Sequence, residues 1–289
     1  LRKSGIKTKI IVANPGIKSY SEIIKYKLDV VLYNQKLLDL YCSNKKSLNI
    51  HIKFNTGMNR YGFNADESEQ IIAKIKDASH LHLCSICSHL ATSGDKTKAD
   101  RTLKQIKKFK SISQKFEVLL GAKIDKHLLN SYGVLNFSKY QMNSVRLGIG
   151  LYGSANDKNL KQISSLISVI AQVRILKPGD SVGYGAHFIA NKKMEIGIVP
   201  VGYADLLNRQ INNPNRTVFI NNTKCAIIGE ISMDSFAVDI TNIKSSEGDL
   251  VEIFGDNLTV TEIAEKRNTI PYEIYSRINR RIKRIYSDS

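Results

Sequence analysis

Between residues 9 and 153 short runs rich in β-branched residues alternate with longer stretches whose apolar residues recur every three or four positions. The runs are KIIVAN (9–14), DVVLYN (29–34), LNIHIKFN (48–55), LHLCSICSHL (81–90), AKIDKHLLN (122–130) and SVRLGIGLYG (144–153). Between several of them lie the helix candidates SYSEIIKYKL, QKLLDLYCSN, DESEQIIAKIKDAS and DRTLKQIKKFKSISQKFEVLL. Ser21 ahead of Glu22, and Asp66 ahead of Ser68 and Glu69, read as helix starts, because a short polar side chain there can accept from free backbone N–H groups. Strand and helix in alternation imply a parallel sheet, doubly wound or closed as a barrel.

After about residue 160 the pattern changes. ISSLISVIAQVRIL, SVGYGAHFI, MEIGIVPVGYA, TVFINNTKCAIIGEI, SFAVDIT and DLVEIFG read as strands joined by turn chemistry such as Lys177-Pro178-Gly179-Asp180 and Gly248-Asp249. This half reads as mostly antiparallel β. A short helix, TEIAEKRN, follows, and the chain is expected to close with a basic helix over YEIYSRINRRIKRIY. Two domains result, 1–160 and 161–289.

Composition narrows the class. With 42% hydrophobic and 24% charged residues, the 289-residue chain is that of a folded protein. No apolar run reaches the ~18 residues that span a bilayer, and no signal-peptide core follows the amino terminus, so a cytoplasmic protein without membrane partners is expected. Four cysteines are too few for a disulfide scaffold of this size. The 43 Lys and Arg against 26 Asp and Glu give a net charge of +17. Such an excess invites a nucleic-acid partner. The lysines are nonetheless spread over helix faces such as LKQIKKFKSISQKF, which favours a compositional bias over a polyanion surface.

In a parallel barrel the active groups sit at the carboxyl ends of the strands. Those ends carry Asn55 to Arg60, His89, Asn130-Ser131 and Arg146, a cationic and amide-rich set suited to an anionic cofactor. Cys84, Cys87 and His89 resemble a metal trio only in spacing, since residues 84 and 87 fall on opposite faces of a regular strand; no metal is expected.

The motifs HIKFNTGMNRYGF (51–63), SHLATSGD (88–95), HLLNS (127–131), VRLGIGLYG (145–153), SVGYGAHF (181–188), IVPVGYAD (198–205), IIGEISMDSFAVDIT (227–241) and IPYEIYSRI (270–278) together resemble bacterial alanine racemases. The resemblance implies a (β/α)8 barrel followed by a β domain, pyridoxal 5'-phosphate as cofactor, alanine as substrate, and a homodimer whose active sites are shared between subunits. It implies interconversion of L- and D-alanine, the latter for peptidoglycan. By the same resemblance Arg146 faces the pyridine nitrogen, and His89 stacks on the ring with His127 supporting. Asn130, Ser131, Gly148, Ile149 and Tyr272 surround the phosphate. Arg60 and the Met233 backbone hold the substrate carboxylate, and Tyr203 lines the entrance. Tyr184 is one of two bases, contributed by the partner and assisted by cations such as His89 and Arg146. Lys53 matches a lysine that can be carbamylated in the family to orient Arg60, with an ordinary salt bridge or a solvent-facing lysine as the alternative.

The family's second base is the Schiff-base lysine of a K-A-N-A-Y-G-like motif, and no such motif occurs here. Six parallel strands are legible where a barrel needs eight. With Leu1 in first place, the expectation is a racemase lacking two leading βα units, either one half of a split enzyme or an inactive remnant. Asn55 in place of an acid, Leu147 in place of Pro and Leu206 in place of Gly are smaller departures that bear on loop geometry.

Overall fold

The computed structural model describes residues 1–155, 157–207 and 216–287. The chain divides into two compact units, Leu1–Gly148 and Ile149–Ser289.

The first unit is a single parallel half-barrel. Its strands are β1 (Ile11–Val12), β2 (Asp29–Leu32), β3 (Leu48–Lys53), β4 (Leu81–Cys87), β5 (Asp125–Asn130) and β6 (Ser144–Arg146), paired in chain order. The connecting helices are α1 (Tyr20–Lys25), α2 (Gln35–Ser43), α3 (Ser68–Asp77), α4 (Ala99–Leu120) and α5 (Ser131–Phe137). Parallel strands are buried on both faces because each crossover lays a helix over the sheet, and all of β2 is buried. The two faces differ in chemistry. Val30, Leu32, Ile50, Ile52, Ile86 and Leu128 join the helices in one hydrophobic core, together with Phe54, Phe109 and Phe116. The alternate positions of β3, Asn49, His51 and Lys53, carry polar groups to the other face. The register of β4 slips between Leu83 and Ser85, so Cys84 is an extra residue in that strand.

Helix ends depart from the sequence expectation. Ser21 lies inside α1, which has no side-chain cap. The start expected at Asp66 is made by a capping box two residues earlier, in which Asn64 and Glu67 satisfy each other's backbone N–H groups. Asn34 caps α2 by accepting from Leu37 N at 2.9 Å. Gly121, at φ 78°, ends the long α4 in a left-handed turn. The run SVRLGIGLYG is strand only as far as Arg146; a 3-10 turn over Ile149–Tyr152 follows.

The second unit is antiparallel. Strands β7 (Leu166–Val169), β8 (Gln172–Leu176), β11 (Met194–Val199), β12 (Thr217–Ile220), β13 (Thr223–Ile228), β14 (Phe236–Asp239) and β15 (Leu250–Phe254) form one sheet in the order β7-β15-β12-β13-β14-β11-β8. The short pair β9 (Ser181–Val182) and β10 (Phe188–Ile189) stands apart. Val199, Val218, Ile220, Val238, Val251 and Phe254 build the core with α6 (Val260–Lys266) and α7 (Pro271–Arg277).

The expected long basic helix stops at Arg277. Beyond it Arg281 forms an ion pair with the fully buried Asp205, and Arg284 donates to the carbonyls of Ile278, Asn279 and Ile282. A buried carboxylate and the carbonyls of the turn that follows the helix satisfy these guanidiniums better than a solvated helix face would. Among the described residues no helix is long and apolar enough to cross a membrane.

Candidate active site

At the carboxyl end of β3 the chain leaves the sheet and returns. Phe63 N donates to Lys53 O, and Asn55 N donates to Phe63 O, both at 2.8 Å. Gly62, at φ 130°, makes this return possible, since a Cβ there would sit 2.6 Å from the backbone of Phe54 and Asn55. Asn55 shapes the loop: its Oδ1 accepts from Gly57 N and Asn59 N at 3.1 and 3.0 Å, and its Nδ2 donates to Asn59. The amide thus keeps the acceptor role of a carboxylate while adding no negative charge.

The resulting open hollow is lined by Lys53, Asn55, Thr56, Arg60, Ser88 and His89 among others. Lys53 is half-buried, with its ammonium 5.5 Å from the Tyr61 ring centre. Burial lowers its pKa, and Arg60 and Arg146 lower it further. None of Lys53, Arg60 and Arg146 forms an ion pair with a described residue. Among the described residues, then, the salt bridge that is the alternative for Lys53 is not formed.

Arg146, at the end of β6, is held by acceptors within β5 and just beyond the end of β4. Its Nη1 donates to His127 Nδ1 and to His127 O at 3.0 Å. Its Nη2 donates to Ser88 O, to Leu128 O at 3.1 Å and to His89 Nδ1 at 3.3 Å. Nε makes no hydrogen bond with a described residue. Burial, then Arg146, Arg60 and Lys53, push His89 down to about 4. His89 is therefore neutral at pH 7, which removes it from the cations expected to assist Tyr184. His127 is pushed to about 3 by burial, then by Arg146 and His51.

Asn130 ends β5 and caps α5, accepting from Gly133 N at 2.9 Å and from the Ser93 hydroxyl at 2.8 Å, while its Nδ2 donates to Leu90 O. Its side chain shapes the turn that presents Ser131. The Ser131 hydroxyl accepts from Gly148 N at 2.9 Å, joining these two residues at the edge of the site.

Tyr184, Tyr203, Met233, Tyr272 and Ile149 belong to the second unit. Tyr184 is 70% exposed on a tight turn between Gly183 and Gly185, at φ 74° and 69°. Tyr203 and Met233 stand on two loops stitched together by Tyr203 N to Ser232 O and Ala204 N to Met233 O, each 3.0 Å. Gly202 permits that approach: a Cβ would lie 2.3 Å from the Met233 carbonyl. The Met233 N–H has no hydrogen-bond partner among the described residues. Ile149 is buried at the start of its 3-10 turn, and Tyr272 lies in the first turn of α7.

Four residues of the first unit were not singled out from sequence: Asp29, His51, Ser85 and Ser88. The alternation of polar residues at 49, 51 and 53 was the available signal. The Ser88 hydroxyl lies 2.8 Å from Thr56 Oγ1 and donates to Phe54 O, tying the ends of β3 and β4. Cys84 lies near Asp29 and His51 rather than joining Cys87 and His89; the ligand atoms of those three groups are within 4.8 Å of one another.

Comparison with known proteins gives the same picture along the whole chain. Residues 1–156 match the family "Alanine racemase, N-terminal domain" and residues 163–286 match "Alanine racemase, C-terminal domain". An alanine racemase of Helicobacter pylori strain P12 is 36% identical over 263 residues, covering 84% of this chain and 68% of the relative. One of Nitrosomonas eutropha is 32% identical over 299 residues, covering 99% and 81%. Among solved structures, an alanine racemase from Clostridium difficile 630 superposes with a TM-score of 0.88 at 29% identity, covering 97% of this chain and 77% of that one. An alanine racemase from E. faecalis gives 0.88 at 26%, covering 97% and 79%. With both domain families matched in order and the half-barrel and antiparallel sheet superposing on solved racemases, the chain belongs to the alanine racemase family.

Proposed function

We propose that the chain serves pyridoxal-phosphate-dependent interconversion of L- and D-alanine, supplying D-alanine for peptidoglycan in the cytoplasm as a homodimer with shared active sites. The observation that carries this reading is Arg146, whose terminal nitrogens are saturated while Nε has no acceptor. A pyridine nitrogen is a lone-pair acceptor that fits this N–H. The surrounding groups fit the rest of the cofactor: a neutral His89 suits stacking on the ring, and unpaired Lys53 and Arg60 make the hollow attractive to anions.

Bound pyridoxal phosphate supplies an electron sink that makes the α-proton of an amino acid removable. Arg146 stays protonated and donates a hydrogen bond without surrendering its proton, which moderates that sink and disfavours transamination. Ser131, with Gly148, Ile149 and Tyr272, holds the phosphate by hydroxyl and backbone donors, while Asn130 shapes the turn. Arg60 and the Met233 N–H bind the substrate carboxylate, and Tyr203 narrows the entrance. Tyr184, exposed on its turn, reaches the partner's site and exchanges the α-proton on one face. The opposite face is served by a cofactor-linking lysine that is not among these 289 residues. Lys53, half-buried with a lowered pKa and no counter-ion, carries a carbamate that orients Arg60.

Racemisation of L-alanine, followed by circular dichroism with a lysine-bearing amino-terminal segment supplied in cis or in trans, tests the reading. Turnover is expected only with that segment, and Tyr184→Phe should lower kcat at least about 100-fold while leaving cofactor absorbance in place. Full turnover by the unsupplemented chain, or by the Tyr184→Phe protein, would overturn it.

A further inference from the structure

Beneath Arg146 a line of polar side chains crosses the half-barrel, one from each of five adjacent strands: Arg146 (β6), His127 (β5), Ser85 (β4), His51 (β3) and Asp29 (β2). A guanidinium has no lone pair to offer, so the Nδ1 of His127 that faces Arg146 Nη1 must be the acceptor. The single proton of a neutral ring then sits on Nε2, which lies 3.0 Å from Ser85 Oγ and donates to it. The Ser85 hydroxyl in turn donates to the remaining neighbour, His51 Nδ1, at 2.6 Å. That leaves the His51 proton on Nε2, 3.6 Å from Asp29 Oδ2. Both atoms are buried and neither has a hydrogen-bond partner among the described residues, so their mutual attraction, with that of Lys9 for Oδ2, offsets their desolvation. Asn49 Nδ2 donates to the other Asp29 oxygen at 3.2 Å, and Lys9 approaches Oδ2 to 3.8 Å. Every link in the line has one permitted direction, from a cation at one end to a carboxylate at the other.

We propose that Asp29, His51 and Ser85 are positioning residues that lock His127 in its Nε2–H tautomer, so that Nδ1 remains a fixed acceptor and Arg146 is held with Nε clear. Burial favours the uncharged form of both rings: His127 is pushed down to about 3, and His51 is lowered by burial against the opposing pull of Asp29. The same inference disposes of a metal at Asp29, His51 and Cys84, because a cation would need the lone pair of His51 Nε2, where the line places a proton. The consequence for the cofactor rests on the role proposed for Arg146; the tautomers do not.

Long-range 1H–15N spectra of the full chain labelled with [15N]histidine read the tautomers directly, with His51 and His127 assigned by the signals lost in His51→Gln and His127→Gln. Both rings are expected as Nε2–H species at about pH 7 to 8, and His127 is expected to stay so down to about pH 5.5. Ser85→Ala should move both rings towards a mixture of tautomers, and Ser85→Thr, which keeps the hydroxyl, should restore them. An Nδ1–H signal from either ring in the unaltered chain, identical spectra for the alanine and threonine variants, or loss of the His51 Nε2 proton on adding Zn2+ would each overturn the proposal. Should the alanine variant fail to fold, the unaltered chain still decides. With pyridoxal phosphate added, Ser85→Ala is expected to shift the cofactor absorption band and Ser85→Thr to leave it; a band indifferent to both would sever the link to the cofactor while leaving the tautomers standing.

Discussion

His89 and His127 show how a cationic strand end alters its neighbours. His127 is buried and His89 half-buried beside Arg146, and each is held uncharged well below the ordinary imidazole value, at about 3 and about 4. Unfolding returns both to about 6.5. Between these values the unfolded chain binds more protons than the folded one, so stability rises with pH there. The contribution is complete above about pH 6.5 and is lost progressively as the pH falls towards 4 and then 3. Urea denaturation should show the midpoint dropping between about pH 6.5 and 4, and His127→Gln should flatten part of that slope. A midpoint indifferent to pH in this range would contradict burial of neutral rings.

Turns and helix ends carry much of the site's geometry. Asn130 satisfies the first turn of α5 and receives the Ser93 hydroxyl, so Asn130→Ala removes a helix cap together with a buried acceptor. A loss of about 1 to 2 kcal/mol is expected from chemical denaturation, with an accompanying fall in affinity for inorganic phosphate as Ser131 loses its fixed presentation. The Tyr203 and Met233 loops depend on Gly202 in a different way. Gly202→Ala would place a carbon against the Met233 and Ser232 carbonyls, which are backbone and cannot swing aside. We expect about 2 to 4 kcal/mol of destabilisation in the second unit, measured by its own unfolding transition. An alanine variant with unchanged stability would show that the loops part without cost.

Among the described residues, β1 and β6 of the half-barrel each have only one strand neighbour. β1 is two residues long and exposes Ile11. Unpaired parallel edges invite association. Light scattering should show the 289-residue chain associating as its concentration rises. A mass independent of concentration would mean the edges are already protected.

Alternation of β-rich and helical runs, and the change near residue 160, made a parallel sheet followed by an antiparallel domain legible before any coordinates, because local periodicity reflects which face each element buries. The cationic strand ends at Arg60 and Arg146 were legible for the same reason: topology places every parallel strand end on one side. Three things needed the folded chain. The cap at Asn64 instead of Asp66, and the halt of the last helix at Arg277, depend on which partner a side chain reaches, as with Arg281 and the buried Asp205. The charge of His89 depends on burial and on Arg146, 57 positions away. The line from Asp29 to Arg146 depends on pairing five strands whose residues are far apart in the chain, and on a slip in β4 that brings Ser85 opposite His51. Local pattern thus defined the elements and the residue types at their ends, whereas hydrogen-bond direction and protonation arose only where those ends were brought within about 3 Å of each other.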